Sequence, residues 1–486
     1  MKLELTATAA TALAIAMASP AYAQMAPMDH SAHSAPAPTP SPTPAPAPSP
    51  SSAPVPAPMD MSGMDHSAMD HSTMDHSKMD HSKMDHSGME SMDSMPGMDH
   101  GSDAAMAGMA MGGEGSGTSR LPANEAMDHG LHLPLGKGSL MLHGFAWGVH
   151  TDQGGPRGDD KTYVQSMAML TYERPFEGGK LTARTMMSAE PLMRHDGYPN
   201  LFATGEVAYG EPLVDRQHPH DLFMELAARL DLDVAEGTRV FIYGGPVGEP
   251  ALGPSAFMHR ASAKYNPEAP ITHHWFDSTH ITYGVVTAGI ANERFQFEGS
   301  AFRGREPDEF RWNIESPKLD SWSVRASFAP SPAWLVQASY GHIKEPEETH
   351  PGEDENRTTV SAHYNSGNGL SAMAAFSAKD RSPGTTLTAW LGEANWDLTK
   401  HHTLFARAEN VANDELFPDH ASPLHDQKFR VTKLQAGYAY RLPLGETFNL
   451  ALGGTVAAFM KPDALDPYYG RHPMGYTVFA KLSLGD

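Results

Sequence analysis

The chain has 486 residues, a net charge of −23 and no cysteine. The acidic balance argues against nucleic-acid binding. The lack of Cys excludes disulfides, Fe–S clusters and Cys-based zinc sites, so any soft metal ligand here is a thioether.

Residues 1–23 read as a secretory signal peptide. Lys2 precedes the small and apolar run TATAATALAIAMA, and Ala21-Tyr22-Ala23 supplies the cleavage signal. The run is too short to span a bilayer as a helix, and no later stretch approaches 18 consecutive apolar residues. The expected destination is the periplasm or outer membrane of a Gram-negative bacterium.

Residues 24–128 are low-complexity. Every Trp and Phe lies at or beyond Phe145, so this zone has nothing with which to build a core. Ser34 to Pro58 is a Pro-Ala-Ser spacer that favours extended polyproline conformation. MDHS then recurs every five residues from Met64 to Ser87. Five residues advance a helix by a net ~140°, which forms no stripe, and on a strand an odd step alternates faces. The repeat is therefore expected to be disordered and to carry ligands rather than a fold. Thioethers suit Cu(I) and imidazoles suit Cu(II). Each repeat offers one of each: Met64 and His66, Met69 and His71, Met74 and His76, Met79 and His81, Met84 and His86, with Met98 and His100 further on. The zone holds 17 of the chain's 30 Met and a net charge of −11. Met is rare in ordinary solvated linkers, so repeat slippage alone does not account for it. The expected cargo is copper, as Cu(I) and Cu(II), or silver, held less well below roughly pH 6 as His protonates.

Residues 129–486 alternate with a period of two. SLMLHGFAWGVH from Ser139, KTYVQSMAMLTYE from Lys161, SWSVRASF from Ser321 and FRVTKLQAGYAYRL from Phe429 are examples. Such segments run about ten residues and are separated by turn signals such as Glu177-Gly178-Gly179. This predicts an all-β fold, a transmembrane antiparallel β-barrel of about 16 strands. Residues 211–283 interrupt the meander with His-rich, Gly/Pro-rich loops, expected to fold into the lumen as a constriction or plug. His218, His220, Asp221, His259, His273, His274, Asp277 and His280 are candidates for a second metal site or a pore lining. The alternative is that they are hydrogen-bonding pillars for the loops. Their spacing matches no established ligand motif. Among catalytic motifs there is no nucleophile elbow, phosphate loop or paired-carboxylate arrangement, so a non-enzyme is expected.

The signal peptide, the MDHS repeats with MPGMDH at Met95 to His100, and the barrel pattern together resemble the outer-membrane copper-resistance proteins of the B type. The barrel segments DRQHPHDLFMELAARLD and HHWFDSTHITYGVV look instead like a porin-like outer-membrane family. The first resemblance implies copper homeostasis, with the Met/His tail on the periplasmic side. The second leaves open a general porin-like channel for small solutes with an incidental tail. The implied partners are outer-membrane lipid and metal ions, with periplasmic copper proteins and further copies of the chain as open options.

Overall fold

The computed structural model describes residues 113–125, 130–445 and 447–484. The predicted signal peptide, the spacer and the ligands Met64 to His100 lie outside these residues.

Sixteen strands form the wall. They are β1 (Gly138–Gln153), β2 (Asp160–Phe176), β3 (Gly179–Met187), β4 (Phe223–Ala235), β5 (Thr238–Gly248) and β6 (Thr282–Asn292). Next come β7 (Phe295–Phe302), β8 (Ser321–Ser331), β9 (Trp334–Ile343), β10 (Asp354–Asn365) and β11 (Leu370–Ser382). The last are β12 (Thr386–Asp397), β13 (His402–Asn413), β14 (Phe429–Leu444), β15 (Phe448–Met460) and β16 (Met474–Leu484). Each pairs antiparallel with the next in sequence, and β1 pairs with β16 from Gly144↔Leu484 to Gln153↔Gly475. That last ladder closes the sheet into a barrel, leaving no unpaired edge. A short strand, Leu131–Leu135, pairs with the start of β1 where β16 stops.

Alternation fixes which way each residue points. In β8, Ser321, Ser323, Arg325 and Ser327 face the lumen, while Trp322, Val324 and Phe328 are exposed on the outside. The outer surface is apolar around the wall, with Val164, Ile242, Val360, Leu404, Leu434 and Val478 all exposed. Exposed aromatics cluster towards the two ends of the strands: Phe295, Phe328, Trp334, Trp396 and Phe448 at one rim, Trp322 and Tyr476 at the other. An apolar band between aromatic girdles is the lipid-facing surface of a transmembrane barrel, so this closed barrel fits an outer-membrane protein.

The two rims differ. At one, strands join through short turns, as at Glu177-Gly178 between β2 and β3. At the other rim, the longest connections are residues 188–222 and 249–281. Both fold into the lumen and are largely buried. The plug expectation holds, but residues 211–283 are not one insertion. β4 and β5 lie inside that range and belong to the wall. β4 turns Ala227, Arg229 and Asp231 inward and Leu226, Leu230 and Leu232 outward. Its alternation therefore puts charge, not apolar bulk, on the enclosed side, where Arg229 and Asp231 pair at 2.9 Å.

Residues 113–125, low-complexity by composition, lie inside the barrel. Small polar side chains suit the narrow space. Ser116 and Ser255 hydroxyls are 3.1 Å apart, Thr118 Oγ1 donates to Glu298 at 2.5 Å, and Arg120 donates to the carbonyls of Asn292 and Glu293 in the β6–β7 turn. Glu114 pairs with Lys180 and Arg184 on β3. Glu114 and Asn124, near the two ends of this segment, contact Lys180 and Asn365 towards the short-turn rim.

Candidate metal centre in the lumen

The two inserted segments bring five imidazoles together. Residues 188–222 supply His218 and His220, and residues 249–281 supply His273, His274 and His280; all five are buried. His218, His220, His280 and His273 form a closed ring of neighbours. Centroid separations around it are 6.4, 5.3, 5.1 and 5.8 Å. Imidazoles bound tetrahedrally at roughly 2.0–2.1 Å from a metal would have centroids roughly 5 Å apart. Three of the four sides lie near that value and the fourth exceeds it.

The hydrogen bonds of these rings share one pattern. His218 Nδ1 lies 3.1 Å from the Pro219 carbonyl, His220 Nδ1 2.8 Å from Glu190 Oε2, His273 Nδ1 2.8 Å from Asp277 Oδ1, and His280 Nδ1 2.6 Å from the Asp277 carbonyl. Each partner is an oxygen acceptor, so each Nδ1 carries a proton, and in a neutral ring Nε2 keeps its lone pair. That is the arrangement of metal-ligating histidines. The Nε2 atoms of His218 and His280 are buried without a hydrogen-bond partner. Glu206 Oε1 stands 3.2 Å from His218 Nε2 but is poorly aligned for a hydrogen bond.

Charge sorts the rings further. Burial, with Arg311 and the neighbouring imidazoles, holds the pKa of His218 well below the usual value, and burial likewise lowers His273 and His280. These rings are neutral lone-pair donors at neutral pH. For His220, burial is outweighed by Glu190, which raises its pKa. His274 differs most. Burial opposes its charge, but Glu306 and Glu206 push it up to about 9. Its Nδ1 sits 3.3 Å from Glu306 Oε2. Ligand atoms of His218, His273 and His274 fall within 4.8 Å of one another, as do those of Glu206, His274 and Glu306. His274 therefore links the imidazole ring to a carboxylate pair. Beyond it, Glu347, His350 and Glu415 form a third such group at the long-loop rim.

On the opposite side, a cavity of about 470 Å³ reaches the ring from the short turns. Gly367 and Asp397 line one part of it, and His220 and Glu190 another. Donor groups thus follow one another from the short-turn rim to the long-loop rim through an otherwise filled lumen. The filling is ionic: Arg260 bridges Asp277 and Glu393, Lys433 pairs with Glu268, and Arg325 pairs with Glu298.

Of the eight residues singled out in the sequence here, the structure gathers His218, His220, His273, His274 and His280, with Asp277 bracing two of them. Asp221 stands outside the ring of donors. Its carboxylate accepts from Tyr283 at 2.9 Å and Arg311 at 3.2 Å, which makes it a brace for the loop. His259 also stands apart, with Arg184, His143 and Arg260 as its charged neighbours. Glu190, Glu206 and Glu306 escaped notice, because each lies far in sequence from the His motifs. Glu306 sits in RGREPDE, which reads as an ordinary charged loop or lumen patch.

No family model matches the chain, and no curated protein does. Among solved structures, the barrel is similar to Salmonella typhi OmpF in complex with daunomycin, at 13% identity and TM-score 0.47 over 73% of this chain and 100% of that one. It is also similar to the anion-selective porin from Comamonas acidovorans, at 13% identity and TM-score 0.44 over 71% and 99%. The outer membrane channel DcaP of Acinetobacter baumannii matches at 11% identity and TM-score 0.42 over 73% and 99%. At these values the barrel assignment rests on the strand pairing described above.

Proposed function

We propose that this chain is an outer-membrane barrel that handles copper, or silver, binding it with the Met/His repeats of residues 24–128 and at the histidine ring in the lumen. One observation carries the proposal. Four buried imidazoles each donate Nδ1–H to an oxygen, and two of them, His218 and His280, leave a buried Nε2 with no partner. Pillars that merely held the loops together would not need the unpartnered, buried Nε2 atoms of His218 and His280, since buried polar atoms are costly when unpaired. The nitrogen donor set suits Cu(II), and Zn or Ni as competitors. The repeats add the thioethers that Cu(I) and silver prefer.

Short turns face the periplasm in barrels of this kind, and Glu114 and Asn124 make their contacts towards the short-turn rim. In this reading the Met/His repeats gather the ion on the periplasmic side. Many weak sites on one chain give high local ligand concentration and fast exchange, which suits delivery to an enclosed site.

The test is Cu(II) electron paramagnetic resonance on the full chain after a brief chelator wash. One retained ion with several nitrogen couplings is expected, and it should be absent in His218→Gln/His273→Gln. Retention of the same signal in that variant would sink the lumenal half of the proposal.

A further inference from the structure

The inner wall carries a second kind of donor. Six of the eleven Met between residues 130 and 484 meet at one place. Met167, Met169, Met186 and Met224 are buried there, with Met141 and Met258 packed against them. The strand register shows how this comes about. His143 on β1 lies directly opposite Met169 on β2, and Met169 lies directly opposite Met186 on β3. Directly opposed Cβ atoms are roughly 4.5–5.5 Å apart and point to the same face. An imidazole and two thioethers thus form one lateral row facing the lumen. Met141 and Met167 flank the row, two residues along the same faces.

From above, the segment 249–281 lowers Met258 and His259 onto this wall. Met258 packs against the methionine cluster and also lines the cavity, together with His143 and His259. His259 is only 8% exposed, and its Nε2 has no hydrogen-bond partner.

Packing alone does not call for thioethers here. The largest apolar cluster in the same lumen is built from Leu, Ile, Phe, Val, Ala, Trp and Tyr, with Met373 its one methionine. Inward positions elsewhere on the wall are polar or charged, such as Arg325, Gln337, Lys379 and Arg407, or carry other apolar side chains, such as Leu391, Phe405 and Phe459. What sets the wall formed by β1 to β4 apart is that its inward apolar positions gather methionine.

We infer that Met169, Met186 and Met258, with His143 and His259, form a binding site for a soft monovalent cation, Cu(I) or Ag(I), at the inner end of the short-turn cavity. Thioether and imidazole donors in a dry pocket prefer such ions over Zn(II) and the hard divalent cations. The site is separate from the histidine ring and divides the labour with it: soft monovalent ions on the methionine wall, borderline divalent ions at the nitrogen ring. The inference rests on the metal-handling reading and sharpens it by oxidation state.

Ag(I) titration of the full chain in detergent, labelled with ¹³C at the methionine ε-methyls, tests this. Met169→Leu and Met186→Leu assign the two signals. The change is nearly volume-conserving, and either variant alone suffices. The Met169 and Met186 methyls should shift on adding Ag(I) and stay in place on adding Zn(II). If they stay in place at saturating Ag(I) while repeat methyls shift, the wall site is refuted and the tail reading stands. If no methyl shifts at all, the wall site and the soft-metal reading of the repeats both fail.

Discussion

Glu190 offers a sharp test, because it touches no metal ligand atom. Its Oε2 accepts from both His220 Nδ1, at 2.8 Å, and the His220 backbone N–H, at 3.0 Å. One oxygen therefore sets the tautomer, the ring orientation and the backbone position of a candidate ligand. Glu190→Gln keeps the shape and one acceptor oxygen. It removes the charge that raises the basicity of His220, and an amide nitrogen turned towards Nδ1–H would repel it. Outer partners of metal-bound histidines typically contribute about 10–100-fold in affinity, or roughly 1.4–2.7 kcal/mol. The affinity of the chelator-resistant Cu(II) should fall by that factor in competition titrations. His220→Gln should lower it further, since it removes the donor itself. The fast-exchanging ions on the repeats should be unaffected. Unchanged affinity in both variants would refute His220 as a ligand and with it the four-imidazole ring.

Other consequences are open to measurement. Arg260, 2% exposed, holds Asp277 at 3.2 Å and Glu393 at 2.7 Å. Arg260→Met should therefore take one buried cation from two carboxylates, leaving Glu393 with Arg407 and Asp277 with His273, and destabilise the barrel by about 1.5–3 kcal/mol in urea unfolding; a loss under about 1 kcal/mol would contradict the pairing. Burial raises the pKa of Glu249 to about 8, against the pull of Arg325. A carboxyl with a raised folded pKa favours folding when protonated. Its contribution is thus full below about pH 4.5 and is lost as pH rises towards 8, by at most about 1.4 kcal/mol per unit. Glu249→Gln should flatten that part of the stability–pH curve, and an unchanged slope between pH 5 and 8 would contradict the assignment. Open barrels of 16 strands hold an aqueous channel. With residues 188–222 and 249–281 filling the lumen, single-channel conductance in planar bilayers should lie far below that of an open porin. A steady large conductance would favour the small-solute channel instead.

Much of this architecture is legible in the sequence because the physics is local. Alternation is a property of ten consecutive residues, and β1, β2, β8 and β14 declare it plainly. β4 is harder to read. Its inward face carries Arg229 and Asp231, so its pattern looks polar, and the motif HPHD stands just before it. The histidine ring is half legible. The clustering of His218 and His220 with His273, His274 and His280 shows as composition, but which nitrogens are free does not. That depends on Glu190 and on the Pro219 and Asp277 carbonyls, which only the folded loops bring into place. The methionine wall is invisible for a related reason. Met169 and Met186 belong to different strands, and only the register sets them side by side.

Metal stoichiometry tests the central claim most directly. Full-length protein, a variant lacking residues 24–112 and the His218→Gln/His273→Gln variant would each be loaded with Cu(I) and Cu(II) separately, and bound metal counted before and after a chelator wash. The account predicts that the deletion removes several fast-exchanging equivalents and spares one retained Cu(II), and that the double substitution does the reverse. Binding no higher than background in all three proteins would contradict copper handling and leave a barrel with a decorated extension.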